Sequence, residues 1–235
     1  AEALAGFLTQ SPVMLDLTRR KNRKQEIIFK EKELLLAAAP VYGGQLPKVR
    51  EELFSNLRGN GTPCIVMAAY GNRHYDDTLA QMKEILRARG FVCIGAIAPV
   101  IPHIFSEKLG AGRPDGKDLE IMKRFAVEIK KRIERAGEDG FREISLPGNS
   151  KPGEKELKPV KKLFYKERCT NCQACVQKCP VNAISIGTLE IDESVCINCM
   201  RCSRVCRQNA RAFDASQTAV YLESNYLKPR EVEFF

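Results

Sequence analysis

Eight of the ten cysteines in this chain belong to two copies of one motif, Cys-x-x-Cys-x-x-Cys-x-x-x-Cys. The two copies consist of Cys169, Cys172, Cys175 and Cys179, and of Cys196, Cys199, Cys202 and Cys206. Corresponding cysteines lie 27 residues apart. No other feature constrains the fold as strongly, because the loops carrying the two motifs must close around whatever the thiolates bind.

The spacing of these cysteines is that of bacterial-type ferredoxins and predicts two [4Fe–4S] clusters. Three cysteines two residues apart can hold three iron corners of one cluster, and the fourth points toward the other cluster. One cluster is therefore expected to be bound by Cys169, Cys172, Cys175 and Cys206. The other is expected to be bound by Cys196, Cys199, Cys202 and Cys179. Because each motif gives its fourth cysteine to the other cluster, the two motifs form one folding unit.

Zinc and disulfides are weaker interpretations of the same cysteines. A zinc site needs four ligands, usually two Cys-x-x-Cys pairs separated by a longer loop. A disulfide framework is typical of small secreted domains, and the chain shows no secretory signal pattern. Pro180 follows the first motif as in ferredoxins, whereas Arg207 follows the second. We expect that exchange to affect the turn and the reduction potential, and to leave the number of ligands unchanged.

The charge of the chain argues against nucleic acid as its partner. The formal net charge of +9 treats every cysteine as neutral, and two clusters of about −2 each would bring it to about +5. The basic stretches lack interleaved stacking aromatics, so we expect no nucleic-acid binding. They could dock an acidic redox partner protein. The sequence contains no apolar run of about 18 residues, so no membrane span is predicted. We expect a cytoplasmic protein.

Residues 1–137 alternate apolar runs with amphipathic stretches, a pattern that predicts a parallel α/β sheet. The predicted strands are Pro12–Leu17, Glu33–Pro40, Pro63–Tyr70 and Phe91–Val100. The predicted helices are Lys48–Leu57, Asp76–Arg89 and Asp118–Arg135, the last with Asp118 as N-cap and Gly137 as the stop.

Two loops follow predicted strands in this half, at residues 40–47 and 70–77. Each carries glycine, which allows close backbone approach, and an aromatic ring. Ligands of parallel α/β sheets bind in such loops at the carboxyl ends of strands. Backbone donors and rings are what a planar isoalloxazine needs, although a Tyr-Gly pair after a strand is more often a simple turn.

The segments PVYGGQLP and AAYGNRHYDDTL, with IFSEKLGAGRPDGKDL, LPGNSKP and the tail YLESNYLKPREVEFF, resemble the flavodoxin/ferredoxin fusion family. The resemblance covers nearly the whole chain and implies a flavodoxin-like half that binds FMN, followed by a two-cluster ferredoxin domain. It implies that Tyr75 stacks on the flavin. The implied flavin-binding residues are Tyr42, Gly43, Gly44, Tyr70, Gly71, Asn72 and Tyr75.

The start of the chain departs from that family. The family opens with a strand and a Ser/Thr-Gly-rich loop that cradles the FMN phosphate, whereas this sequence opens at AEALAGFL, which predicts the helix after that loop. The missing strand would be central in a flavodoxin-like sheet. We expect either a sequence that starts within a longer protein or a domain that no longer binds FMN.

The predicted fold is thus an α/β flavodoxin-like parallel sheet lacking its first strand, plus a small α+β two-cluster ferredoxin domain. The expected divisions are 1–137 for the flavodoxin-like domain, 138–160 for a linker, 161–215 for the ferredoxin domain and 216–235 for a C-terminal tail. In the ferredoxin domain, Ala183–Ile186 and Ala210–Phe213 are predicted to form short strands over the clusters.

The predicted function is electron transfer between two [4Fe–4S] clusters and FMN, of a kind that suits anaerobic metabolism. The alternative is a two-cluster ferredoxin whose flavodoxin-like domain is a flavin-free docking module. Cys64 and Cys93 are expected to be buried apolar residues without a redox role.

Overall fold

The structure is a computed structural model, and it describes residues 1–30, 32–137, 140–153, 155 and 160–235. Its helices are α1 (Glu2–Leu8), α2 (Arg50–Leu53), α3 (Thr78–Arg87), α4 (Gly116–Ala136), α5 (Ala174–Gln177), α6 (Arg201–Arg204) and α7 (Ser216–Tyr226). Its strands are β1 (Ile27–Ile28), β2 (Leu35–Pro40), β3 (Leu57–Arg58), β4 (Thr62–Ala69), β5 (Phe91–Ala98), β6 (Lys161–Phe164), β7 (Arg211–Asp214) and β8 (Glu233–Phe234).

The larger sheet has the strand order β2-β4-β5-β8. Strands β2, β4 and β5 are parallel, and β8 adds to β5 in the antiparallel sense. Strands β4 and β5 are apolar along most of their length because helices cover both faces of the sheet. The chain therefore builds a helix-covered parallel α/β sheet, as the alternating pattern predicts.

Alternation along β4 divides its side chains between two cores. Cys64, Val66 and Ala68 face the first core, to which α3 contributes its apolar side chains. Ile65 and Met67 face the second core, which α1 and α4 complete. Cys64 and Cys93 are buried neighbours on paired strands, as expected for small apolar residues.

The N-cap of helix α4 lies three residues before the predicted cap, Asp118. Asp115 is the N-cap, and its side chain accepts hydrogen bonds from the backbone N–H groups of Lys117 and Asp118. The Asp118 carboxylate in turn accepts from the Asp115 backbone N–H, which completes a capping box. The prediction that Asp118 is the N-cap is therefore wrong by one turn, whereas Gly137 ends the helix as predicted.

The predictions for β4, β5 and α3 agree with the structure to within two residues at each end. The predicted helix over Lys48–Leu57 is reduced to the single turn of α2. The prediction of a strand at Pro12–Leu17 is wrong, because this segment has no sheet partner and Val13 is 95% exposed.

Residues 140–153 of the predicted linker form no helix or strand and lie against the α/β half. The Ile144 N–H donates to the Cys93 carbonyl (3.0 Å), and Lys83 pairs with Glu143 (3.1 Å). Residues 138–139, 154 and 156–159 of that linker lie outside the described residues.

In the carboxyl half, β6 and β7 form an antiparallel pair. The prediction of a strand after the second cysteine motif is thus confirmed, one residue further along at β7. After the first motif only the bridge between Ile184 and Ile191 forms, in place of the predicted strand. Within the described part of the chain, no helix is long and apolar enough to cross a bilayer.

Candidate metal-cluster site

The eight motif cysteines surround two neighbouring cavities of about 350 and 360 Å³. The first, here called the outer cavity, is lined by Cys169, Cys172, Cys175 and Cys206. The second, here called the inner cavity, is lined by Cys179, Cys196, Cys199 and Cys202. Each cavity thus receives three cysteines from one motif and the last cysteine of the other.

The two cysteine loops repeat each other in backbone conformation as well as in sequence. Asn171 and Asn198 have φ values of 53° and 55°, and Asn182 and Asn209 have φ values of 59° and 50°. Asparagine is among the few residues that adopt this left-handed region readily. The paired asparagines are a signal that the cysteine spacing alone did not reveal, and they turn the backbone around each cavity.

Backbone N–H groups point at the sulfur atoms of both final cysteines. Ala183 donates to Cys179 Sγ at 3.3 Å, and Ala210 donates to Cys206 Sγ at 3.2 Å. Such hydrogen bonds stabilise negative charge on sulfur. Burial alone would raise the pKa of Cys206, yet the backbone donors around it bring that pKa below its ordinary value.

Two other cysteines of the inner cavity, Cys199 and Cys202, lie in a less polar environment. Burial raises the pKa of the Cys199 and Cys202 thiols. Thiolates in such surroundings need a compensating positive charge, which iron supplies when a cluster is bound.

Eight cysteines divided equally between two cavities fit a pair of [4Fe–4S] clusters, each needing four thiolates. Among the described residues, no group of three His, Cys, Asp or Glu side chains is arranged to hold a metal ion. The sulfur-bearing residues instead line two separate cavities in groups of four. The ligand assignment of each cysteine stays a prediction.

The two cavities differ in the exposure of their cysteines, since all four cysteines of the inner cavity are partly buried. Cys172, at the outer cavity, is exposed. The inner cavity lies against the amino half, where the Arg23 guanidinium donates to the Pro180 carbonyl at 2.5 Å. Arg201, which lines the inner cavity, pairs with Asp16 at 3.7 Å and hydrogen-bonds Thr18.

The loop after β2 approaches the inner cavity. It contains Tyr42, Gly43 and Gly44, three of the residues predicted to contact a flavin. Burial raises the pKa of Tyr42, and the neighbouring Cys199 and Cys196 raise it further. Gly44 is buried against Asp76, and its carbonyl accepts from the Asp77 N–H at 2.8 Å.

The loop after β4 is closed by the carboxyl-terminal tail. Asn72 donates to the carbonyls of Tyr226 (2.6 Å) and Lys228 (3.0 Å), and its Oδ1 accepts from the Arg230 N–H (3.0 Å). The Tyr75 hydroxyl donates to Glu233 at 2.7 Å. These contacts use the polar groups that a flavin would need.

The aromatic rings of this loop also contact one another. Tyr75 is 1% exposed, stacks on His74 at 4.6 Å between centroids and meets Tyr70 edge-on at 5.6 Å. Tyr70 is likewise buried, and a Cβ on Gly71 would lie 2.4 Å from His103. The polar and aromatic groups of this loop thus contact other parts of the chain, and flavin binding at the seven predicted residues stays a prediction.

A family model of known proteins matches one part of the chain. Residues 163–185 and 189–212 match the 4Fe-4S binding domain. Each of the two matched stretches contains one complete cysteine motif. No curated protein matches the chain. The match concerns about a fifth of the sequence, and the amino half is outside it.

Proposed function

We propose that this chain is an electron-transfer protein that carries two [4Fe–4S] clusters, one in each cysteine-lined cavity. The observation that supports this most is the exchange of final cysteines, Cys206 at the outer cavity and Cys179 at the inner one. When bound, each cluster would supply one-electron chemistry. The residues around it hold it, exclude water and set the charge that it experiences.

The outer cavity is the side on which we propose that electrons enter or leave. Cys172 is exposed there, and the exposed basic residues Lys166 and Lys178 lie three residues before Cys169 and three residues after Cys175 in the sequence. An acidic face on a redox partner protein would be attracted to this surface and steered toward it. The partner remains unidentified.

The amino half has a different proposed role at the inner cavity. Arg23 bonds to Pro180, which lines that cavity, and Asp16 pairs with Arg201. These contacts fix the α/β half against the buried side of the cluster region. We propose that it serves as a module that shields this side and docks partners.

Flavin binding is a second candidate function, as expected from the resemblance to flavodoxin/ferredoxin fusion proteins. The observation in its favour is that the two Tyr-Gly loops follow adjacent parallel strands, β2 and β4, at the same edge of the sheet. Against it stand the hydrogen bonds that close Asn72 and Tyr75 under the tail. The flavin-free alternative therefore has the stronger support.

The iron, sulfide and FMN content of the chain, purified without oxygen, tests these functions together. About eight irons per chain with one-electron reduction signals in electron paramagnetic resonance would support the cluster function. About four irons or fewer would contradict it. One FMN per eight irons would favour the coupled flavin protein, and iron without FMN would favour the flavin-free ferredoxin.

A further inference from the structure

Arg211 is a buried cation in the wall of the outer cavity. The residue is 5% exposed, and its Nη2 donates to the Leu189 carbonyl. Its guanidinium lies 4.2 Å from the centroid of the Phe164 ring. Its Nε is buried and has no hydrogen-bond partner among the described residues.

The charge of Arg211 lacks a carboxylate partner in the described structure. None of the ion pairs formed within the described part of the chain involves Arg211. A buried, uncompensated guanidinium is costly unless an anion lies nearby. A thiolate-ligated cluster of about −2 charge in the outer cavity would be such an anion.

The inner cavity has no equivalent uncompensated charge among its lining residues. The 27-residue repeat places Ile184 where the outer cavity has Arg211, and both residues line their own cavity. The inner cavity is lined by two cations, Lys162 and Arg201, which pair with Glu193 and Asp16 respectively. Arg211 is the one Lys or Arg among the residues that line the outer cavity.

We propose that Arg211 is the buried counter-charge of the outer cluster and holds its reduction potential above that of the inner cluster. This proposal rests on the two-cluster function proposed above. A fixed positive charge favours the more negative, reduced form of a nearby cluster and so raises its potential. An electron shared by the two clusters would then reside mainly on the outer one, beside exposed Cys172.

The positive charge of Arg211 also acts on Cys202, a cysteine of the inner cavity. Burial raises the pKa of Cys202, and Arg211 partly offsets this. Arg211 lines only the outer of the two cavities, however, and its backbone N–H bonds to Cys206. The larger effect is therefore expected at the outer cluster.

Redox titration of the cluster-loaded chain, followed by electron paramagnetic resonance and film voltammetry, tests the proposal. Arg211→Gln removes the charge and keeps an amide donor for the Leu189 carbonyl, whereas Arg211→Lys keeps the charge. Arg168→Gln is the matched control, because Arg168 stacks on Tyr165 at 4.6 Å but its side chain is 54% exposed. Iron content is measured in every variant.

We expect two separate one-electron steps in the natural protein. In Arg211→Gln the reduced-to-oxidised ratio of the higher-potential cluster at fixed potential should fall about tenfold, a shift of about 59 mV. Arg211→Lys and Arg168→Gln should leave it close to its original value. Equal changes in Arg211→Gln and Arg211→Lys would assign Arg211 a purely structural role and overturn the proposal.

Three other results would also overturn it. These are coincident steps in the natural protein, an unchanged higher step in Arg211→Gln, or an equal fall of both steps. If Arg211→Gln loads less iron, Arg211→Met provides a second neutral variant for the same comparison. Failure of the natural chain to bind iron at all would instead contradict the two-cluster function itself.

Discussion

Cys179 lies beyond the third cysteine of its own motif and lines the same cavity as Cys199 of the other motif. The short helix α5, which begins just after Cys172, directs the chain away from the outer cavity before Cys179 is reached. If each motif bound its own cluster, Cys179 would lie with Cys169, Cys172 and Cys175. Its place beside Cys199 instead indicates that each motif gives its last cysteine to the other cavity.

If each motif gives its last cysteine to the other cluster, cysteine variants from different motifs should lose the same cluster. Cys179→Ala and Cys199→Ala should both impair the inner cluster, whereas Cys175→Ala and Cys206→Ala should both impair the outer one. Each variant should lose up to about four of about eight irons. Iron analysis and the remaining redox step measure this.

Cys93→Ala is the control for these variants, because Cys93 is 1% exposed in the α/β core and is not part of either motif. It should keep its full iron content. The exchange would be refuted if Cys179→Ala removed the same redox step as Cys175→Ala.

We expect His103 to make the stability of the α/β half depend on pH. Burial lowers the pKa of His103, with Arg73 adding to the effect, and its Nδ1 accepts the Phe105 N–H at 3.1 Å. Protonation at Nδ1 would break that bond. Because the folded pKa lies below the unfolded value of about 6.5, this stability is present above pH 6.5 and is lost as the pH falls below it.

We therefore expect the urea midpoint of the loaded protein to decrease between about pH 7 and pH 5.5. His103→Gln should flatten this dependence. His74→Gln, which alters the other of the two histidines, should retain it. Equal pH profiles in the natural protein and His103→Gln would rule out this role for His103.

Local patterns predicted the centre of the α/β half well. Strands β4 and β5 each span eight residues and are apolar along most of that length, which is typical of strands covered by helices on both faces. Gly137 ends α4 as predicted, whereas the N-cap is Asp115 and not the predicted Asp118, because both aspartates suit a helix start. The cysteine spacing predicted the grouping around the two cavities.

Local sequence patterns could not predict features that depend on residues distant in the chain. Pro12–Leu17 is apolar enough for a strand but has no strand beside it, and Val13 faces solvent. The closing of Asn72 and Tyr75 depends on contacts more than 150 residues away along the chain. The loop at residues 70–77 carries no local signal for the tail that covers it.

Gly95 in β5 is predicted to allow the close approach of α4. A Cβ there would lie 2.2 Å from Ile129 Cδ1 and 3.1 Å from Phe125 Cζ. Gly95→Ala should therefore lower the free energy of unfolding by about 1–3 kcal/mol through overpacking. Urea unfolding followed by circular dichroism measures the change.

The exposed Gly6 in α1 provides the matched substitution, because a Cβ there meets no atom within 4 Å. Gly6→Ala should raise stability by about 0.5–1 kcal/mol, since alanine loses less backbone entropy in a helix. Equal effects of the two substitutions would show that α4 is not packed as closely against β5 as described.

Arg23 is predicted to protect the inner cluster, because it joins the amino half to the wall of the inner cavity. Its side chain is 7% exposed and donates to the Pro180 carbonyl at 2.5 Å. Arg23→Met removes the donor from a buried carbonyl, at a cost of about 1–3 kcal/mol. The contact between the halves should loosen, and a chelator should remove iron from the inner cluster several-fold faster than in the natural protein.

Arg19→Met is the control, because the Arg19 side chain is 50% exposed and pairs only with nearby Asp16 among the described residues. Chelation is followed by the loss of cluster absorbance, and the redox step that disappears first identifies the cluster. Faster loss from the outer cluster, or the same rate in both variants, would show that Arg23 does not shield the inner cavity. Faster loss confined to the inner cluster would make the amino half a structural shield for the buried side of the cluster pair, whether or not it also binds a flavin.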